Sequence, residues 1–340
     1  MGAKNLLWKD LTIDLGSSHT VLASRRQRFF FRDKTRILLA SDFPARNSRA
    51  NPVLAFGAES LSLAAPRGVR AEVHAPIERG RLANPTAMDL LLHALLGHIR
   101  RAARFSLSLG RESAVVLPPG LSAAERFAFK ALLDNVGLAA QVIEAPLAAA
   151  HACGFNPGDR EGRMLVEVGG GKSYAAMFTL GEVVAQYGCP FGGEDLDAVL
   201  SHYIEQRHRL TLPIAAPEAI KLAIGSVYPR VRPETLTVAG TDTRSGFEKK
   251  VLLDDNEVRD VLIDACEPLV LAIQHCLADM PAELAADIER NGVVLVGGGS
   301  LLEGFPEFLS ERVGLAFHRA EDPLDATILG AQALLCEGKL

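Results

Sequence analysis

Three absences narrow this chain before any motif is read. Its five cysteines, Cys153, Cys189, Cys266, Cys276 and Cys336, are odd in number and show no CxxC spacing, which argues against a disulfide framework or a zinc site and for reduced thiols in a cytosolic setting. No uninterrupted apolar run reaches the roughly 18 residues of a membrane-crossing helix, and the first ten residues hold no signal-peptide core. The expectation is a cytoplasmic protein, with the inner face of the cell membrane as the one surface that could hold it. An excess of basic charge is missing as well: 36 lysines and arginines against 41 aspartates and glutamates leave a net charge of −5, so a broad nucleic-acid surface is not expected. What is present is a 340-residue chain, 48% hydrophobic, long enough at about 150 residues per domain for two domains with a core each.

Glycine is concentrated where apolar strands end. Residues 164–174, MLVEVGGGKSY, read as a buried strand (Leu165, Val166, Glu167, Val168) running into Gly169, Gly170 and Gly171. Without Cβ atoms, consecutive glycines let the backbone turn tightly and bring several N–H groups onto an anion, while the Glu167 carboxylate is placed to face a cation. The GGGKS tail is not a Walker A loop, because that motif needs a glycine where Val166 stands, and the residues that follow read as a β-hairpin turning at Gly181. A plain glycine turn between core strands is the competing reading. Two other stretches favour the phosphate cradle: Leu11 to Ser18, LTIDLGSS, repeats the order of strand, acid, apolar residue, glycine and small polar residues, and Val293 to Val296 runs into Gly297, Gly298, Gly299 and Ser300. Two acid-glycine hairpins on the order of 150 residues apart suggest two halves of a duplicated fold, with a nucleotide in the cleft between them.

Along the chain, strands alternate with helices, which predicts an α/β protein with a central sheet in each half. Residues 40–76, rich in Pro, Asn, Ser and Arg, read as a small irregular insertion. Asn84 caps a helix that Pro85 opens, and Ser122 with Glu125 forms a capping box for another. Gly192 and Gly193 open a helix whose first N–H groups can meet a phosphate. Glu218 and Lys221 share a helix face at i and i+3, a spacing that also suits an ordinary surface ion pair. Pro268 interrupts the helical stretch 255–280. At 105–109, Phe105, Leu107 and Leu109 alternate with serines behind Arg100, Arg101 and Arg104; apolar tips backed by arginines suit an anionic membrane surface, and packing into the first half is the alternative.

These pieces resemble one family, the bacterial actin homologue MreB, within the superfamily of actin, sugar kinases and heat-shock chaperone ATPases. IDLGSSHT at 13–20 looks like its first phosphate motif and VEVGGGKS at 166–173 like its second. PIERGRLAN at 76–84, EAIKLAIGSVYP at 218–229, VVLVGGGSLLEG at 293–304 and AEDPL at 320–324 look like MreB in particular. The resemblance implies an actin-like two-lobe fold of duplicated ribonuclease-H-like domains, 1–155 and 156–340, with small insertions over about residues 24–76 and about residues 213–260. It implies ATP with Mg²⁺. Asp14 and Glu167 would face the metal's water shell; Gly16, Ser17, Ser18 and His19 would hold phosphates from one side, and Gly169, Gly170, Gly171 and Lys172 from the other. Glu218 and Lys221 would flank the adenosine, which Gly297 to Gly299 and Ser300 would approach through the backbone. A hydrophobic membrane loop is implied where Phe105, Leu107 and Leu109 stand.

The chain also departs from the pattern. Glu167 stands where the family carries Asp, and Lys172 where it carries Thr. The Glu-Glu-Pro pattern before the alanine-rich helix is Glu144-Ala145-Pro146 here. The acid before that proline orients the attacking water in the family, so Ala145 marks impaired hydrolysis, with Glu144 as the available substitute. The first motif, with His19, is also similar in wording to the magnetosome filament protein MamK. The expectation is an ATP-binding cytoskeletal filament that sets cell shape or positions a structure, its partners being copies of itself, a second actin-like protein and an anionic membrane. The alternative is a non-polymerising adaptor on the same fold, like FtsA or PilM.

Overall fold

The computed structural model describes residues 11–24, 29–41, 52–102, 113–156 and 158–338. Two compact units emerge, Met1–Ala152 with Thr327–Leu340, and Cys153–Ala326.

In the first unit β1 (Leu11–Leu15), β2 (His19–Ser24) and β3 (Phe29–Lys34) form an antiparallel meander, and β4 (Ser113–Leu117) and β5 (Ala140–Glu144) continue the sheet in parallel beyond β1. The second unit repeats the plan: β6 (Arg163–Val168), β7 (Ser173–Thr179) and β8 (Glu182–Cys189) are antiparallel, and β9 (Val293–Val296) and β10 (Phe317–Arg319) follow in parallel beyond β6. The strand orders, β5-β4-β1-β2-β3 and β8-β7-β6-β9-β10, are one topology used twice. The duplication suggested by the two acid-glycine hairpins is therefore a duplication of whole sheets.

Side-chain alternation fixes which face of each sheet is buried. Leu11, Ile13 and Leu15 of β1 enter a core with Leu91, Leu92 and Leu95 of α1 (Pro85–Ala102) and Phe129 and Leu133 of α2 (Ala123–Asn135). The second core gathers Met164, Val166 and Val168 of β6. It also takes Leu196 and Leu200 of α4 (Gly193–His208), Ile220 of α5 (Ala216–Ile224), Leu262 of α6 (Asp255–Ala265) and Leu269 and Ile273 of α7 (Glu267–Ala278). Asp14 and Glu167, one step out of phase, fall on the opposite faces of their strands.

Local signals place the helix ends. Asn84 Oδ1 accepts from the Ala87 N–H at 2.9 Å, Ser122 and Glu125 close a reciprocal capping box, and the break between α6 and α7 comes at Cys266, with Pro268 in the first turn of α7. Among the described residues no single helix is long and apolar enough to cross a membrane; the bent pair α6–α7 is apolar enough by length and composition, but Leu262, Leu269, Val270 and Ile273 are fully buried in the second core.

The structure differs from expectation in the first insertion, where Ile37–Ala40, Val53–Phe56 and Ala71–His74 form a three-stranded antiparallel sheet. These strands are four residues each, too short for their alternation to stand out among the Pro, Ser and Arg around them. The corresponding sheet of the second unit joins Leu210–Thr211, Thr235–Asp242 and Glu248–Asp254.

The last helix, α10 (Ala326–Glu337, after α8, Ala285–Asn291, and α9, Phe305–Val313), belongs with the first unit from Thr327 onward. It crosses α3 (Ala145–Ala152) backbone to backbone: a Cβ on Gly330 would lie 1.8 Å from the Ala148 carbonyl oxygen. Helix backbones cannot yield that distance locally, so Gly330→Ala is expected to destabilise the protein by about 1–3 kcal/mol. Urea unfolding checks this: a lowered midpoint at unchanged slope is expected, and an unchanged midpoint refutes the crossing.

Candidate functional site

Each unit places an acid two residues before a glycine-closed turn. In the first, Asp14 faces Val21 across the β1–β2 pair, and the Gly16 N–H closes the turn on the His19 carbonyl at 3.0 Å. A Cβ at Gly16 would lie 2.8 Å from that oxygen. The turn's carbonyls are held by the segment after β3: the Thr35 hydroxyl donates to Gly16 O at 2.7 Å, Arg36 Nη1 to Ser17 O at 2.8 Å, and the Thr35 N–H to Ser18 O at 2.9 Å. In a planar trans peptide the C=O of one residue and the N–H of the next point opposite ways. Pinning the carbonyls of Gly16 and Ser17 therefore turns the N–H groups of Ser17 and Ser18 away from the protein segment that pins them. The Ser17 side chain is buried, and its hydroxyl accepts the Gly80 N–H at 2.9 Å. Gly80 (φ 72°) and Arg79 (φ 49°) turn the small hairpin Ile77–Glu78, Arg81–Leu82, so the PIERGRLAN stretch is anchored on the first phosphate motif. His19 opens β2 opposite Lys34, whose ammonium stands 3.4 Å from Ser18 Oγ.

The second turn is built the same way with different supports. The Gly169 N–H closes on the Lys172 carbonyl at 3.1 Å, and the carbonyls of Gly169 and Gly170 accept from the first N–H groups of α4, Gly193 at 2.9 Å and Glu194 at 2.8 Å. The same peptide geometry turns the N–H groups of Gly170 and Gly171 away from α4, and among the described residues neither donates to a backbone carbonyl. Gly192 is needed for this contact, because a Cβ there would lie 2.4 Å from the Gly170 oxygen. Its own N–H goes to Asp195 Oδ2 at 2.9 Å. The N–H groups that hold the turn are thus those of Gly193 and Glu194, while that of Gly192 is taken by Asp195. The Lys172 side chain leans across Gly188 of β8.

Other expected residues divide between internal and outward tasks. Lys221 Nζ pairs with Asp197 of α4 at 2.7 Å and donates to Gly193 O at 2.7 Å, tying α5 to the helix that supports the second turn, and Glu218 lies half-buried one turn earlier on α5. In the third loop Gly297 (φ 83°) donates to Pro323 O at 2.7 Å, and side chains at Gly297 and Gly299 would strike Val168, at 2.5 and 2.4 Å. Ser300 is fully buried and its hydroxyl donates to Gly297 O at 2.6 Å, while Arg319 holds the carbonyls of Ser300 and Leu302 at 2.7 and 2.9 Å. Gly298 is the exposed member of the loop.

Ala145, the first residue of α3, is buried. Glu144, the last residue of β5, is held by Arg126 Nη2 of α2 at 2.5 Å. Glu167 has a partner that sequence reasoning missed: the Tyr174 hydroxyl donates to its Oε2. The signal was available, since a tight turn that pairs Val168 with Ser173 must pair Glu167 with Tyr174. Burial, with the Glu167 charge added, pushes the neighbouring Cys153 thiol up to about 11. Among the described residues no group of three or more His, Cys, Asp and Glu side chains could hold a metal directly. Phe105, Leu107, Leu109 and Arg104 lie outside the described residues, and of Arg100 and Arg101 only the helical backbone of α1 is described.

Comparison with known proteins accords with this plan. The family described as MreB/Mbl protein matches residues 8–339. The cell shape-determining protein MreB of Escherichia coli strain K12 is 28% identical over 332 residues, covering 96% of this chain and 93% of its own. Crystal structures of MreB5 of Spiroplasma citri, one bound to AMPPNP and one to ADP, superpose with a TM-score of 0.85 at 22% identity, over 97% of this chain and 96% of theirs. The MamK double helical filament gives 0.75 at 20% identity, over 97% and 99%. With its sheet topology duplicated and a family match over nearly its whole length, the chain belongs to the MreB/Mbl family of actin-like cytoskeletal proteins.

Proposed function

We propose that the chain binds ATP, polymerises into filaments that serve cell shape or the positioning of a cellular structure, and hydrolyses ATP slowly or not at all. The observation that carries the reading is the pair of glycine-closed turns whose carbonyls are pinned on the protein side, leaving the N–H groups of Ser17, Ser18, Gly170 and Gly171 as anion donors. Lys34 and Lys172 add positive charge beside them. Asp14 and Glu167, each two residues before the turn of its own unit, are each a carboxylate that suits a hydrated Mg²⁺, which keeps most of its waters and takes its remaining ligands from phosphates. The relatives support the same reading: MreB5 was solved with AMPPNP and with ADP, and MamK as a double helical filament.

Nucleotide-dependent assembly follows, because ligands that favour one conformation shift the surface available for self-association. Pelleting and electron microscopy with ATP, ADP and no nucleotide are expected to give filaments with ATP. A protein that stays monomeric in all three at tens of micromolar, roughly where weak self-association shows, would instead be an adaptor on the same fold.

Slow hydrolysis rests on Ala145. In-line attack on the γ-phosphate needs a side chain that orients the water; a methyl group cannot, and Glu144 is engaged by Arg126. Ala145→Glu is expected to raise phosphate release by roughly 10²-fold, in preparations whose thermal unfolding matches wild type. Wild-type turnover equal to or above that of the variant would sink this part of the proposal.

Membrane contact through Phe105, Leu107 and Leu109, with Arg100, Arg101 and Arg104 each contributing about 1 kcal/mol near an anionic surface, belongs to the same proposal. Co-sedimentation with anionic liposomes is expected to fall for a Phe105→Ser, Leu107→Ser double variant; equal binding by both proteins removes the loop as the contact.

A further inference from the structure

Glu167 and Tyr174 are directly opposed on the β6–β7 pair, on one face of the second sheet, where cross-strand side chains stand about 5 Å apart at Cβ. Tyr174 is 3% exposed. A phenol buried to that degree needs a hydrogen-bond partner for its O–H, and Glu167 Oε2 accepts it. The carboxylate is only half-buried, and Cys153 lies close enough for the Glu167 charge to bear on its thiol. Glu167 is therefore tethered by a residue of the neighbouring strand, in the strand that leads into the Gly169–Lys172 turn. A glutamate has one more rotatable bond than an aspartate, and without a tether its carboxylate would sample several positions beside that turn.

We propose that Tyr174 is a positioning residue that fixes the Glu167 carboxylate for the hydrated Mg²⁺ accompanying ATP. The proposal rests on the ATP reading above and adds to it the residue that lets a longer acid do this work. Groups that orient metal-facing carboxylates through a hydrogen bond contribute about 10–100-fold in metal affinity when removed. Tyr174→Phe keeps the ring and its packing and deletes only the donor.

The test is a double-variant cycle on the full chain, reading by fluorescence the Mg²⁺ concentration that half-saturates binding of a labelled ATP analogue. Tyr174→Phe is expected to raise that concentration about ten-fold or more in the wild-type background and to leave it unchanged in the Glu167→Gln background, where the carboxylate is gone. Equal factors in both backgrounds, or no effect in either, overturn the proposal. Thermal unfolding of the four proteins is run in parallel without nucleotide, and non-additive midpoints are expected from the Tyr174–Glu167 contact alone. If wild type binds no ATP analogue at any Mg²⁺ concentration, the ATP reading and this role fall together; if it binds and the cycle is additive, only the role of Tyr174 falls.

Discussion

A planar peptide cannot present its carbonyl and the following N–H to the same side, and the candidate site depends on that constraint. Wherever the protein grips the carbonyls of a turn, it aims the adjoining N–H groups elsewhere. The first unit grips them with Thr35 and Arg36, the second with the first two N–H groups of α4. The two solutions share no side chain, yet both leave consecutive N–H donors turned outward. Convergence of different supports on one backbone geometry is hard to explain as a by-product of strand connection, since a hairpin needs only its closing bond, Gly16 to His19 or Gly169 to Lys172, to change direction.

The supports are themselves supported. Lys221 joins Asp197 and the Gly193 carbonyl, so α5 steadies the helix that steadies the second turn. Arg319 grips the Ser300 and Leu302 carbonyls, while Gly297 and Gly299 let that loop settle on Val168, the last residue of β6 before the turn. In the first unit the Arg79–Gly80 hairpin tip is docked on Ser17. Many of the glycines and polar residues gathered by the motifs thus fix the backbone of the turns and of the loop beside them.

That division explains what could be read from the sequence and what could not. Caps are local, so Asn84, the Ser122–Glu125 box and the break at Pro268 were legible from a few neighbouring residues. The two hairpins and their acids were legible because strand, acid and glycine recur in order. Which atoms of a motif residue the fold itself engages was not. Gly192 and Gly193 have the composition of a phosphate-binding helix start, and only the fold reveals that their N–H groups are taken by Asp195 and by the Gly169 carbonyl. That the Ser17 hydroxyl accepts from Gly80, a residue of a separate motif, could not be read from either motif alone. The four-residue strands of the first insertion were hidden because so short an alternation carries little signal.

Binding by backbone and hydrolysis by side chain differ in how they tolerate change. An N–H donor survives substitution of its own side chain so long as the turn keeps its closure, and the glycines that matter most, Gly16, Gly169 and Gly192, are those whose Cβ would strike a carbonyl oxygen. Orienting a water needs one particular side chain at one position; on the proposed reading that position holds the buried methyl of Ala145, beside a glutamate engaged by Arg126. A side chain change at position 145 leaves both turns as they are, whereas a side chain at Gly16, Gly169 or Gly192 would disturb the turn it closes or supports. On the proposed reading, a chain that keeps both turns with their supports while holding Ala145 before Pro146 would retain a bound nucleotide for what it does to the conformation and not for its cleavage.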